Sequence, residues 1–249
     1  MFTASYREEV REKMLSQAKK DHRIVSAAVI GSYAQGTVDR WSDIDLTFGV
    51  DESFAIAGLL DSWTDYMTQE LSASLLFDVK YGGTVYRVFI LPGCLQVDLS
   101  FSPAKEFGPI GPHFKLLYGK QNDKRWNQTS PSTKEIFGYL VHHLLHARIG
   151  AERNKLWQAE FWLNEAKNHA LKLACISHGL QSDYGRGLDE LPEEVLTAFE
   201  NAMVTKRNKD EIRRVIKVIV EGLKDISNEI NQATLNFSAT LNELTQDNL

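Results

Sequence analysis

Residues 24–30 read IVSAAVI, residues 31–43 read GSYAQGTVDRWSD, and residues 44–50 read IDLTFGV. Two short apolar runs, partly β-branched, flank a polar segment that starts with glycine, which is the pattern of two strands joined by a turn. Side chains alternate along a strand, so Asp43 and Asp45 share one face while Ile44 and Leu46 enter the core from the other. Two carboxylates held together raise each other's pKa unless a cation compensates, and hard oxygen ligands favour magnesium. Gly31 has no Cβ to keep a ligand from the backbone, and Ser32 adds a hydroxyl beside N–H groups that can point at phosphate oxygens. Either half alone also reads as an ordinary turn or a solvated strand end. In this order and spacing they point to a nucleoside triphosphate with its metal.

The series Ile30, Gly31, Ser32, a spacer, then Asp43 and Asp45 resembles the signature of the nucleotidyltransferase superfamily of DNA polymerase beta. That resemblance implies a third carboxylate on a later strand. Asp98, in CLQVDLSF, shares a strand face with Gln96 and Ser100; Asp78, in LLFDVKYG, competes, with Lys80 on its face. Residues 74–81 and 84–91 alternate around Gly82-Gly83, a hairpin turn, and Pro92-Gly93 then leads into the run carrying Asp98. Such a meander returns Asp98 beside Asp43 and Asp45, so strand order favours Asp98.

The resemblance further implies transfer of a nucleoside monophosphate, AMP from ATP, with two Mg2+ ions held by Asp43, Asp45 and Asp98, and with Gly31, Ser32, Arg40 and Ser42 on the nucleotide side. Tyr33 departs from the pattern, since many relatives carry a basic residue there, which shifts phosphate binding toward Arg40 or a lysine elsewhere. More loosely, the chain is similar to bacterial aminoglycoside and lincosamide nucleotidyltransferases, which join such a domain to a helical one. On that likeness Glu160 stands as a candidate general base and Lys167 as a phosphate contact; with Asn164 they share one helix face at steps of four and three, and both also read as surface charges.

The fold expected is α/β (α+β): a mixed-sheet catalytic domain over residues 1–118, then an all-α bundle over 119–249, with the active site in the cleft between them. An opening helix is expected at about 4–20 with Ser5 as cap, a second after Asp51-Glu52-Ser53, and a short strand at 113–118. Residues 102–132 hold four of the six prolines and form a loop-rich connection. Helices follow near 132–149, 153–178, 190–207 and 209–246. In the last, Ile212, Ile216, Ile219, Leu223, Ile226 and Ile230 form a narrow apolar seam, which suits packing within the bundle and a homodimer interface equally.

Composition narrows the partners. A net charge of −5 disfavours a grip on nucleic acid and suits a small or cationic acceptor. The run KRNKDEIRRVIK (206–217) is basic but has no interleaved aromatic residue, so it reads as a solvated helix face. His142, His143 and His146 lack a zinc hydrolase glutamate and read as a packed helix face, and Trp157 and Trp162 read as core. Acidic residues at 183–194 suit a helix start and would attract a cation. Cys94 and Cys175 lie far apart and read as reduced thiols, no apolar run is long enough to span a membrane, and the N-terminal residues lack a signal peptide's apolar stretch. The cytoplasm is the expected location. Besides the small-molecule transferase, two other functions fit the scaffold: a silent nucleotide-binding or antitoxin-like regulator, which three converging carboxylates argue against, and an RNA- or protein-modifying nucleotidyltransferase.

Overall fold

The computed structural model describes residues 1–109, 111, 113–123 and 131–246. Part of the loop-rich connection, residues 110, 112 and 124–130, lies outside them. The chain divides into two compact units, residues 1–128 and 129–249. The chain after the last strand stays tied to the first unit. Lys120 N donates to Ser26 Oγ at 3.0 Å, and Asn122 N donates to Phe107 O at 2.8 Å.

The first unit is a mixed six-stranded sheet built from β1 (Ile24–Ile30), β2 (Ile44–Val50), β3 (Ser74–Tyr81), β4 (Thr84–Leu91), β5 (Leu95–Pro103) and β6 (Phe114–Tyr118) in the order β3-β4-β5-β2-β1-β6. Only β2 and β5 run parallel; every other neighbouring pair is antiparallel. The parallel pair requires a crossover, which α3 (Ile56–Leu71) and the β3–β4 hairpin supply. Helix α1 (Ala4–Lys20) buries Val10, Met14 and Ala18, spaced at four, and α3 buries Leu59, Trp63 and Met67 likewise. The cap of α1 is Thr3, whose hydroxyl accepts from Tyr6 N, and not Ser5, which lies one residue inside the helix. Ile44, Leu46 and Phe48 from β2 and Leu95, Val97, Leu99 and Phe101 from β5 complete this core. The polar residues alternating with them, Asp45, Gln96 and Asp98, therefore emerge on the opposite face.

The second unit is helical: α4 (Thr133–Glu152), α5 (Leu156–Ser177), α6 (Glu193–Glu200), α7 (Lys209–Gly222), α8 (Asn228–Asn236) and α9 (Ser238–Thr245). A full capping box of Ser132 and Glu135 starts α4. Near the α4–α5 turn, Gly150 lets the helices approach so closely that a Cβ there would lie 3.3 Å from Ala159 Cα. The single helix expected over 209–246 is broken into three. Ser227 starts a new helix by accepting from Ile230 N, and Leu223–Asp225 forms a tighter 3-10 turn before it. The seam survives the break: Ile212, Ile216, Ile219, Leu223, Ile226 and Ile230 are all buried in this unit's own core. No described helix is long and apolar enough to cross a membrane.

Candidate active site

The end of β2 carries a candidate site, because its parallel partner carries a matching carboxylate. In the β2–β5 register Asp45 pairs with Asp98, and Asp43 precedes β2 by one residue. One oxygen from each of Asp43, Asp45 and Asp98 lies within 4.8 Å of the others, and all three residues are half-buried. Burial pushes the Asp98 carboxyl above its ordinary value, and the Asp43 charge adds to that. The Gln96 amide, which donates to Asp98 Oδ1 at 3.0 Å, opposes it. Asp78 is excluded from the group by strand order. It sits on edge strand β3, gripped by both arms of Arg87 at 2.7 Å, and Arg87 is in turn fixed to Leu60 O and Thr64 Oγ1 of α3.

Gly31 opens a short helical turn, α2 (Gly31–Gln35), where a simple turn was expected. Its φ of +61° lies in the left-handed region, and a Cβ at this position would sit 2.4 Å from Asp45 Oδ2. The glycine thus gives the backbone room beside a carboxylate. The next residue presents Ser32 Oγ, buried and without a hydrogen-bond partner. A buried hydroxyl left unsatisfied is costly unless something else bonds it.

The loop between α2 and β2 uses the other two nucleotide-side candidates differently. Ser42 Oγ donates to Asp39 Oδ1 and accepts from Asp39 N, both at 2.9 Å, which closes the loop on itself. Arg40 is exposed, its guanidinium 4.5 Å from the Trp41 ring centre and 5.5 Å from that of Phe2. Glu160 and Lys167 lie on α5 in the second unit. Glu160 accepts from Arg207 Nε at 3.3 Å, and Arg207 stacks on Trp157 at 3.5 Å. Trp157 is accordingly surface, 71% exposed, where the core was expected; Trp162 packs against the core. Within the basic run, Lys209 and Arg213 pair with Glu152, Arg214 with Glu211, and Lys217 with Glu221. His142, His143 and His146 stack around Trp162, and His169 of α5 joins at 5.0 Å from His143.

Sequence reasoning missed Arg7. It is 4% exposed, and its Nη1 donates to the carbonyls of Asp39 and Ser42, the latter at 3.2 Å, immediately before Asp43. Its Nε reaches Tyr33 OH at 3.2 Å, and Tyr33 OH donates to Glu8. Tyr33, which stands where a basic residue was absent, is flanked by two arginines of α1: Arg7 lies 5.7 Å and Arg11 4.8 Å from its ring centre. The signal was available, since Arg7 falls on the same helix stripe as Val10 and Met14, a charge where an apolar residue belongs.

No curated protein matches the chain. Among solved structures, an aminoglycoside 6-adenyltransferase from Bacillus subtilis is 13% identical with a TM-score of 0.40, covering 93% of this chain and 95% of that one. The polymerase core of TRAMP, an RNA surveillance complex, is 14% identical with a TM-score of 0.28, covering 96% and 83%. The family model described as nucleotidyltransferase domain matches residues 8–79, the segment from α1 to β3 that holds Gly31, Ser32, Asp43 and Asp45. Residues 8–79 of the first unit are therefore similar to a nucleotidyltransferase domain.

Proposed function

We propose that the protein moves a nucleoside monophosphate, AMP from MgATP, onto a hydroxyl of a small molecule and releases pyrophosphate. The observation that carries this is the meeting of Asp43, Asp45 and Asp98 within 4.8 Å. Three hard-oxygen donors fit magnesium, and burial with the Asp43 charge pushes the Asp98 carboxyl up, which a bound cation would oppose. The orphaned Ser32 Oγ and the Cβ-free approach at Gly31 fit phosphate oxygens in the same place.

Asp43 and Asp45 would hold the nucleotide's metal and bridge to a second ion, whose ligands Asp98 completes. Bound there, the two ions would neutralise the departing pyrophosphate and lower the pKa of the acceptor hydroxyl. Gly31 and Ser32 would bind the β- and γ-phosphates, Arg40 would supply a cation at their outer edge, and Ser42 would hold the loop that aims Asp43. On the acceptor side, Glu160 would take the hydroxyl proton and Lys167 would meet the phosphate. Their support is residue type and place, and Glu160 must first exchange its bond to Arg207.

The acceptor class follows from charge. A chain of net charge −5 whose basic helix is neutralised by its own carboxylates suits a small cationic polyol, such as an aminoglycoside or lincosamide antibiotic, in the cytoplasm. The test is pyrophosphate release with magnesium and each nucleoside triphosphate across a panel of such compounds, transfer RNA and candidate proteins. Release should require one small acceptor and fall at least about 100-fold in Asp43→Asn, whose fold and melting temperature should hold. Unchanged release in Asp43→Asn would overturn the metal assignment, and release with RNA or protein alone would overturn the acceptor. Mn2+ binding, followed by electron paramagnetic resonance without nucleotide, should weaken in the same variant.

A further inference from the structure

The β3 strand is an edge with an unusual surface. All eight of its residues are exposed, and Leu75, Leu76, Phe77, Val79 and Tyr81 are between 43% and 54% accessible. Among the described residues, β4 is the one strand that pairs with it. An edge that is long and apolar invites another strand, and natural proteins usually blunt such edges with charges. Here the charges are two, one of each sign and two residues apart: Asp78, which also accepts from both arms of Arg87, and Lys80.

Backbone geometry says which groups face outward. The two-residue loop Gly82-Gly83 closes on the pair Tyr81–Thr84, which a hairpin of this length hydrogen-bonds. Counting back by twos, Val79–Tyr86 and Phe77–Val88 are also bonded pairs, so the N–H and C=O groups of Asp78 and Lys80 point away from β4. A partner strand must therefore bond to Asp78 and Lys80. If that partner is an antiparallel copy of β3, three registers set a charged residue directly opposite a charged residue. One sets Asp78 against Asp78 and another sets Lys80 against Lys80, and like charges directly opposite are unfavourable. The third sets Asp78 of each strand against Lys80 of the other, with Val79 facing Val79 at the two-fold axis and Phe77 facing Tyr81. The charges that would repel most other strands are self-complementary in that register alone.

We propose that the protein forms a homodimer through antiparallel pairing of β3 with β3 of a second copy, in the register that centres on Val79. The two sheets then join into one. Residues opposite each other across strands share a face, so the apolar side chains of Phe77, Val79 and Tyr81 from both copies form one continuous strip. Through β4 and β5 that is also the face of Asp98, since Phe77 pairs with Val88 and Val88 with Asp98. Both carboxylate clusters would open on the same side of the joined sheet. The helical seam, the other candidate interface, is used up inside the second unit's core. The proposal is independent of the acceptor and of the nucleotide chemistry.

The test is cysteine cross-linking of the full chain in a Cys94→Ser background, because Cys94 is exposed and Cys175 is buried. Val79 would face its own copy across a non-hydrogen-bonded pair, where Cα atoms lie about 4.5 Å apart, within disulfide reach. Position 80 would be diagonal to its own copy, roughly 7–8 Å away and beyond that reach. Under mild oxidation Val79→Cys should form a covalent dimer at least about 10-fold faster than Lys80→Cys. Sedimentation of the unmodified chain should show a dimer, and Lys80→Glu, which opposes Asp78 with a second carboxylate, should shift it to monomer with its melting temperature kept. A monomeric chain at about 100 µM, equal cross-linking at 79 and 80, or a dimer indifferent to Lys80→Glu would each overturn the proposal.

Discussion

Gly31 and Asp45 are packed so closely that the smallest side chain added to residue 31 would reach 2.4 Å from Asp45 Oδ2. The contact ties the turn after β1 to the carboxylate on β2, so the positions of Gly31 and Asp45 are set by one another and not by their separate loops.

Gly31→Ala should therefore act on chemistry more than on fold. The left-handed φ of +61° costs an alanine about 1 kcal/mol, and the clash displaces the Asp45 carboxylate. A displacement on the order of 1 Å is enough to lower turnover about 100-fold. Melting temperature and single-turnover rate, measured on the same preparation, check this; a fall in stability with turnover intact would mean that residue 31 only shapes the loop.

Arg7 holds the loop that delivers Asp43. Arg7→Met leaves the carbonyls of Asp39 and Ser42 without their buried donor and should cost about 3 kcal/mol in urea unfolding. At low temperature, where the variant is still folded, kcat should fall with little change in acceptor KM. Arg7→Lys keeps the charge but loses the forked donor and should recover only part of kcat. Full recovery by lysine would show that charge alone matters there.

Asp98 should trade stability for function. Its folded-state pKa lies above the ordinary 3.8, so between the two values the native state holds a proton that the unfolded state has lost, and stability falls as pH rises through that window. Without metal, Asp98→Asn should then be more stable than the parent at pH 7, and the difference should vanish below about pH 4, where both states are protonated. Turnover should be lost at every pH. Denaturant titrations across pH, in chelator, give the sign directly, and a variant less stable at pH 7 would contradict the burial argument.

Glu211 offers the opposite sign in the second unit. Arg214 beside it, with two further bonds from Thr205, holds its carboxyl at about 2 against burial. The stability this contributes is complete above the unfolded value near 4.5 and is lost as pH falls toward 2. Glu211→Gln should cost about 2–3 kcal/mol at pH 7 and almost nothing at pH 2, read from paired urea curves. A cost independent of pH would mean that shape, not charge, is what the residue provides.

The sequence by itself determined the local elements and the chemistry near them. The runs at 24–30 and 44–50 declare strands through their apolar content, the hairpin at Gly82-Gly83 declares its own turn, and Gly31, Ser32, Asp43 and Asp45 are close in the chain, so spacing alone marks them as one candidate group. Tertiary structure decided what depends on neighbours distant in sequence. The hairpin at Gly82-Gly83 already favours Asp98 over Asp78, but only the parallel β2–β5 register sets Asp98 beside Asp45, while Arg87 claims Asp78. Arg7 sits on a helix more than thirty residues before the loop it pins. Even the seam at 212–230 kept its periodicity through breaks in the helix. Burial is fixed by the three-dimensional packing of α7 and α8, whereas the break between them follows from a serine cap whose hydroxyl competes with continued helix for the same backbone N–H. A side chain's periodicity reports which face it presents, and only the folded chain reports what meets that face.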